Sequence, residues 1–166
     1  MINEKRLLER FLKYVQIDSP TKEEREFALA LKSELEELGM EVRMDDAGEK
    51  VGSNSGNLIG YLKGTTDGEG ILFSAHMDTV SPGRGIKPQI KDGVIYSDGT
   101  TILGGDDKAG IAAVVEAIQS IKENKIPHGD IEVAFTIFEE GGLFGSKNLD
   151  YSSIRAKKGF VLDSGG

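Results

Sequence analysis

The fold is decided by the stretch Ile71-Leu72-Phe73-Ser74-Ala75-His76-Met77-Asp78, in which a short apolar run leads directly into a histidine and an aspartate. A run of this length and composition predicts a buried strand. Two later segments repeat the pattern, because the mainly apolar segment 131–138 ends at Glu139-Glu140 and the short apolar run 160–162 ends at Asp163. Helical patterns separate these strands, which predicts an α/β fold with a mostly parallel central sheet and helices on both faces.

The remaining periodic segments predict the elements around these strands. Apolar residues at helical spacing predict one helix at the amino terminus and another over residues 107–123. A third helix is expected to begin near Thr21, where the spacing of Thr21 and Glu24 indicates a capping box, and to stop at Gly39. Shorter elements are predicted as strands at 41–45 and 57–62, a loop up to Gly56, a hairpin over 89–97 and a helical turn at 146–149.

Composition excludes several classes of function. The 166 residues fit one domain, and 20 Lys and Arg against 28 Asp and Glu give a net charge of −8. Nucleic acid and anionic membranes attract positive surfaces, so neither is expected as a partner. The absence of cysteine excludes disulfides, thiol nucleophiles and thiolate zinc sites. The longest apolar run, 111–115, is too short to span a membrane, and the amino terminus does not resemble a signal peptide, so a cytoplasmic location is expected.

Side chains that can bind a metal occur at four places, three at the ends of predicted strands and one just before the predicted helix over residues 107–123. They are His76, Asp78, Asp106, Glu139, Glu140 and Asp163. In open α/β sheets, ligands bind beyond the carboxyl ends of the strands, so these segments are expected to converge on one crevice. Five carboxylates gathered there would repel one another, and a divalent cation would remove that repulsion. Histidine with carboxylates is a ligand set that suits zinc.

Each of these features also has a structural interpretation. A histidine at a strand end is usually a hydrogen-bonded structural residue, and Asp106 with Asp107 could cap a helix. Glu139-Glu140 could be a solvated strand end, and Asp163 an ordinary turn residue. Four such coincidences at one edge of one sheet favour the metal site.

Other catalytic motifs are missing from the sequence. It contains no Gly-x-x-x-x-Gly-Lys-Ser/Thr phosphate loop, no Gly-x-Gly-x-x-Gly opening a helix, and no Gly-x-Ser-x-Gly elbow. The second histidine, His128, lies in the turn-like Pro127-His128-Gly129 and is expected to be exposed there. A serine–histidine–acid triad is therefore not predicted.

Taken together, the motifs resemble those of the co-catalytic zinc exopeptidases, the family that contains peptidase T, carboxypeptidase G and aminoacylase-1. The similar stretches are Ser74-Ala75-His76-Met77-Asp78-Thr79-Val80, Gly104-Gly105-Asp106-Asp107-Lys108-Ala109-Gly110, Glu139-Glu140-Gly141 and Leu162-Asp163. Residues 96–103 are most similar to the peptidase T-like branch, the tripeptide aminopeptidases. The resemblance implies an exopeptidase that releases the N-terminal residue from short peptides.

The resemblance also implies the metal ligands. It implies two zinc ions in the complete site, with Co²⁺ or Mn²⁺ as alternatives. His76, Asp106 and Asp163 would hold the first ion. Asp106 and Glu140 would hold the second, so that Asp106 bridges the pair.

Two further residues receive catalytic roles from the resemblance. Glu139 would be the general base that moves a proton from the attacking water to the leaving amine. Asp78 would lie behind His76 and orient its ring. The peptide bond that follows Asp106 would be cis.

The sequence departs from the family in what it lacks. The family's second metal takes another histidine from near the carboxyl terminus, and an inserted lid domain binds substrate and often mediates dimerisation. His128 precedes two of the motifs and cannot match that ligand, and the sequence stops at Gly165-Gly166, after a predicted buried strand. Residues 1–166 are therefore expected to be the N-terminal portion of a metallopeptidase catalytic domain, inactive alone, whose complete form binds a short peptide and forms a homodimer. A deacylase or carboxypeptidase with the same metal site, or a non-catalytic metal-binding fragment, are the alternatives.

Overall fold

A five-stranded sheet forms the centre of the fold in the computed structural model, which describes residues 1–163. In spatial order its strands are β1 (Glu41–Met44), β2 (Leu58–Leu62), β6 (Ile131–Thr136), β3 (Ile71–His76) and β7 (Gly159–Val161). β2 pairs antiparallel with both of its neighbours, while β6, β3 and β7 pair in parallel. Four strands thus point the same way and β2 opposes them, which confirms the mostly parallel sheet. Gly165-Gly166 lie outside the described residues.

Three long helices cover one face of this sheet. In chain order the helices are α1 (Glu4–Val15), α2 (Arg25–Glu37), α3 (Ala47–Val51), α4 (Gly105–Glu123) and α5 (Phe144–Lys147). Val133 and Phe135 of β6 are fully buried in one core with Leu31 of α2 and Ile111 of α4. They share this face because side chains alternate along a strand with a period of two.

The opposite face of the sheet is covered by shorter structure. Ile59 and Ala134 point to this side and pack with Leu149, which follows α5. Leu72 and Ile154 complete the small cluster, beside a 3-10 turn at Tyr151–Ser153. Both faces therefore carry helical structure, as the sequence predicts, but the long helices lie on one side.

A buried ion-pair network joins α1 to α4. The Glu116 carboxylate, with 1% of its side chain exposed, accepts hydrogen bonds from Arg6 Nε and Arg10 Nη1, both at 2.7 Å. The backbone N–H of Asn3 and the hydroxyl of Ser120 also donate to it, at 2.9 Å each. Full hydrogen bonding is what allows a charged group to be buried at this interface.

Two predictions around α2 are wrong. The helix begins at Arg25, and Thr21 with Glu24 do not form a capping box, because the Glu24 side chain makes no cap hydrogen bond. The Thr21 hydroxyl instead donates to the carboxylate of Asp78 at 2.8 Å. The predicted loop after β1 also contains the short helix α3.

The hairpin prediction is confirmed and the burial prediction for the last strand is wrong. β4 (Gln89–Lys91) and β5 (Val94–Tyr96) form a separate antiparallel pair. In β7, Phe160 is 58% and Val161 74% exposed, because β7 is the outermost strand on its side of the sheet. Among the helices of residues 1–163, none has both the length and the apolar character needed to cross a membrane.

Candidate metal centre

The strand register brings the predicted ligands to one edge of the sheet. His76, the last residue of β3, pairs with Thr136, the last residue of the parallel strand β6. On the other side of β3, Ser74 pairs with Val161. Because His76 follows Ser74 by two residues and Asp163 follows Val161 by two residues, His76 and Asp163 lie side by side at this edge.

Asp106 reaches this edge from the start of α4. Gly104 takes a left-handed conformation with φ of 73°, and Asp106 and Asp107 have non-helical backbone angles before the regular helix begins. The peptide bond between these two aspartates is cis, as the resemblance implies. Asp106 Oδ1 lies 3.1 Å from His76 Nε2.

Two groups of metal-ligating side chains result. Ligand atoms of His76, Asp106 and Asp163 lie within 4.8 Å of one another, and this is the set that the resemblance assigns to the first ion. A second group within the same limit contains His76, Glu139 and Glu140. The structure therefore gathers all five residues at one place, and the sharing of the second ion between Asp106 and Glu140 stays a prediction.

The His76 ring is buried and oriented by its neighbours. Its Nδ1 lies 2.8 Å from the backbone carbonyl oxygen of Asp78 and 3.6 Å from the Asp78 carboxylate. Since the carbonyl can only accept, Nδ1 carries the proton in the neutral ring and Nε2 is left with a lone pair. Nε2 faces Asp106 and, at 3.9 Å, Glu139, which is the direction a metal ligand requires.

The Asp78 carboxylate holds the loop that carries the two glutamates. It is fully buried and accepts the backbone N–H of Glu139 at 2.8 Å and that of Glu140 at 3.2 Å. Burial alone would raise the pKa of Asp78, but the His76 ring, the Glu139 amide and the Thr21 hydroxyl together hold it below its ordinary value. Asp78 is therefore a fixed negative charge that joins the end of β3 to the segment after β6.

Negative charge is concentrated at this edge. Burial alone would lower the pKa of His76, but Asp78, Glu139 and Asp106 raise it to about 10. The pKa values of Glu139 and Glu140 are raised, first by burial and then by the neighbouring carboxylates, against the opposing effect of His76. Acidic groups that raise one another's pKa are what a bound cation would relieve.

The donor set fits a divalent metal ion. One imidazole nitrogen and several carboxylate oxygens lie close enough to share an ion, a combination suited to zinc. Behind them, Asp107 is buried and its Oδ2 has no hydrogen-bond partner within residues 1–163. Burial, with the charge of Asp163 adding to it, raises the pKa of Asp107 to about 6. An additional positive charge at this site would stabilise that carboxylate as well.

Lys108 anchors the start of α4, a role that no periodic pattern in the sequence predicts. Its fully buried ammonium donates to the carbonyl oxygens of Tyr14 at 3.1 Å and Ile17 at 2.6 Å, and lies 4.5 Å from the centre of the Phe27 ring. Burial lowers the pKa of Lys108 to about 8. The residue after the two aspartates is thus tied to the end of α1.

His128 lies in the loop between α4 and β6 and belongs to neither ligand group. Its backbone carbonyl accepts hydrogen bonds from Thr65 at 2.8 Å and Thr66 at 3.1 Å. The predicted turn position is confirmed, but the residue is half-buried rather than exposed, because it packs beside this neighbouring turn.

Known proteins are similar to this chain in sequence and in fold. Peptidase T of Escherichia coli (strain K12) is 34% identical over 205 residues, an alignment that covers 97% of this chain and 48% of that protein. The aminopeptidase PepT of Bacillus cereus is 54% identical, and its crystal structure superimposes with a TM-score of 0.97 over 99% of this chain and 44% of its own. A tripeptidase of Staphylococcus aureus gives a TM-score of 0.97 at 45% identity, over 100% of this chain and 45% of its own.

These similarities settle the family and also the extent of the match. The chain spans about half the length of the curated relatives it matches, between 45% and 48%. Residues 72–161, more than half of the chain, match the family described as Peptidase family M20/M25/M40. That segment contains His76, Asp106, Glu139 and Glu140, so the resemblance carried by the motifs is confirmed. The chain belongs to peptidase family M20/M25/M40.

Proposed function

We propose that this chain is the amino-terminal part of a zinc-dependent exopeptidase that releases the N-terminal residue from short peptides, tripeptides above all. The observation that carries the proposal is the convergence of His76, Asp106, Asp163, Glu139 and Glu140 within two overlapping ligand groups. The names of two similar proteins, an aminopeptidase and a tripeptidase, support the substrate class. The net charge of −8 favours a peptide over nucleic acid or an anionic membrane as the partner.

The chain's own residues supply orientation and proton transfer in this reaction. Bound zinc would polarise the carbonyl of the scissile bond and make water acidic enough to ionise near neutral pH. Glu139 is half-buried, and its Oε2 lies 3.9 Å from His76 Nε2, so it faces the same centre. Its raised pKa suits a group that accepts a proton from water and then donates it to the leaving amine.

The position of Glu139 depends on its backbone. Its N–H is fixed by Asp78, the residue whose carbonyl also orients the His76 ring. One buried residue therefore sets the distance between the general base and the histidine ligand. We also propose that the complete protein is a homodimer, as the family resemblance implies.

The substrate class is tested with a blocked and an unblocked tripeptide. The complete protein, loaded with zinc, should cleave a tripeptide that has a free amino terminus and should not cleave the same peptide after acetylation. Chelation of the metal should abolish the first activity. Faster hydrolysis of the acetylated peptide would assign the protein to the deacylases or carboxypeptidases, and no hydrolysis of either peptide would favour a non-catalytic metal-binding role.

A further inference from the structure

Two residues distant in the sequence share an uncommon backbone conformation and a common hydrogen-bond acceptor. Lys22 and Phe138 are non-glycine residues with positive φ, 75° and 47°. The backbone N–H of each donates to the same oxygen, Glu24 Oε1, at 2.9 Å and 3.1 Å. Left-handed conformations of this kind are costly and persist where the surrounding structure holds them.

Glu24 is placed to act as this acceptor and not as a helix cap. Its side chain is fully buried, and its second oxygen, Oε2, accepts the hydroxyl of Ser53 at 2.6 Å. Three donors from three separate segments therefore satisfy one buried carboxylate, as burial of a charge requires. The contacts link the start of α2, the loop after α3 and the end of β6.

Phe138 immediately precedes the residues of the candidate centre. Three successive amides are fixed by two buried carboxylates: Phe138 donates to Glu24, while Glu139 and Glu140 donate to Asp78. The chain after β6 is thereby held at each residue as it enters the site. Glu24 binds the amide of the first residue of this segment, Phe138, and Asp78 binds the amides of the next two residues.

The Phe138 side chain is held as firmly as its backbone. The Lys22 ammonium lies 4.8 Å from the centre of its ring, and the centre of the Phe144 ring also lies 4.8 Å from it. A Cβ atom at Gly141 would collide with the Phe138 ring, so a larger residue there would have to displace that ring. The turn that carries both glutamates therefore closes around Phe138.

We propose that Glu24 is a positioning residue for Glu139: by accepting the Phe138 and Lys22 amides it holds the left-handed turn that aims the general base at the metal centre. This role rests on the proposed function of the site. If the acceptor is removed, the Phe138 amide loses its buried partner and the backbone can relax toward ordinary angles. The Glu139 carboxylate would then move relative to His76.

The test compares substitutions that keep or remove the acceptor. In the complete protein, Glu24→Met fills the same space without accepting a hydrogen bond. Glu24→Gln keeps an oxygen for the two amides and offers an N–H that Ser53 can accept. Leu35→Ala, a core substitution elsewhere in α2, serves as the control for lost stability alone. Glu24→Asp, which withdraws the carboxylate by one methylene, replaces Glu24→Met if that variant does not fold.

Kinetics and amide hydrogen exchange are measured on each variant under conditions where it is fully folded, and the melting temperature is measured separately. Glu24→Met should lower kcat by about 100-fold with a smaller change in KM, as expected when a reacting group is misplaced by about 1 Å. Glu24→Gln should recover most of that loss, and Leu35→Ala should lower the melting temperature without lowering kcat. Amide hydrogen exchange of the metal-free protein should show protection of Lys22 and Phe138 lost together in Glu24→Met and retained in Glu24→Gln.

The results separate this proposal from the proposed function. If the parent protein cleaves no peptide, the proposed function is wrong. Hydrogen exchange of the Lys22 and Phe138 amides still decides in that case whether Glu24 holds the turn. If the parent is active, a Glu24→Met variant with unchanged kcat or unchanged protection overturns the positioning role. Equal losses in Glu24→Met and Glu24→Gln would overturn it as well, because the acceptor would then not be the relevant feature.

Discussion

Glu139 and Glu140 are adjacent, yet their surroundings differ. Glu139 is half-buried, and its amide donates to Asp78 Oδ1. Glu140 is exposed and its amide donates to the other oxygen, Asp78 Oδ2. Both carboxylates reach His76, so geometry alone admits either as a ligand. The division into one base and one ligand, which the resemblance implies, is a prediction that substitution can test.

Glu139→Gln in the complete protein should keep the bound metal while kcat falls by at least about 100-fold, the usual contribution of a general base. The amide of glutamine preserves the size of the side chain but cannot take a proton from water. Metal content by mass spectrometry after dialysis, measured together with tripeptide hydrolysis, checks both parts.

Glu140→Gln is the matched control for this experiment. Because Glu140 is assigned as a ligand of the second ion, its substitution should lower the metal content as well as the activity. Loss of metal from Glu139→Gln and not from Glu140→Gln would reverse the two assignments.

Residues that follow strands could be predicted from the sequence, whereas those that support them could not. His76 and Asp163 stand directly after apolar runs, and parallel strands end at one edge, so their convergence follows from local pattern. Thr21 and Glu24 have the spacing of a helix cap, and nothing local distinguishes a cap from a contact with a distant segment. Their partners lie 57 and 114 residues away, at Asp78 and Phe138.

Helices and strands could likewise be predicted where local sequence determines them, and not where pairing between distant segments does. The helix period predicted α4, and the turn residues Lys91-Asp92-Gly93 predicted the β4–β5 hairpin. The burial of β7 was predicted wrongly because an apolar run has the same appearance in a central strand and in an outer one. Strand order, which places β7 at the end of the sheet, arises from pairing between segments far apart in the chain.

The contact between α1 and α4 should make the stability of the fold sensitive to acid. Burial alone would raise the pKa of Glu116, but hydrogen bonds from Arg6, Asn3, Arg10 and Ser120 lower it from 4.5 to about 2. A carboxylate with a lowered pKa in the folded state stabilises the protein above its unfolded pKa, and this stabilisation is lost as the pH falls from about 4.5 toward 2. The shift corresponds to about 3 kcal/mol.

Glu116→Gln should therefore lower the free energy of unfolding at pH 7 by about 3 kcal/mol, and the difference from the parent should shrink as the pH falls below about 4.5. Urea unfolding between pH 7 and pH 3 measures it. Glu37→Gln, at an exposed position of α2, is the control and should follow the parent at every pH. A constant difference across the range would show that Glu116 stabilises the fold by packing and not by its charge.

At the scale of the whole molecule, the ligand assignment that the resemblance implies gives the described chain one complete set of ligands and one partial set. His76, Asp106 and Asp163 would give the first ion three protein donors, and three protein ligands with water are the usual arrangement of a catalytic zinc. The resemblance assigns only Asp106 and Glu140 to the second ion. Two similar proteins, an aminopeptidase and a tripeptidase, are each about twice as long as this chain. Two carboxylates without a further donor leave an ion largely hydrated and weakly held.

The 166-residue chain should therefore bind about one zinc ion tightly and a second only loosely, and it should hydrolyse tripeptides negligibly beside the complete protein. Calorimetric titration with zinc gives the stoichiometry, and a hydrolysis assay on the same sample gives the activity. Asp163→Asn should weaken the tight site, because it removes one of the three donors of the first group. Two tight sites with full turnover would mean that another residue of this chain completes the second set.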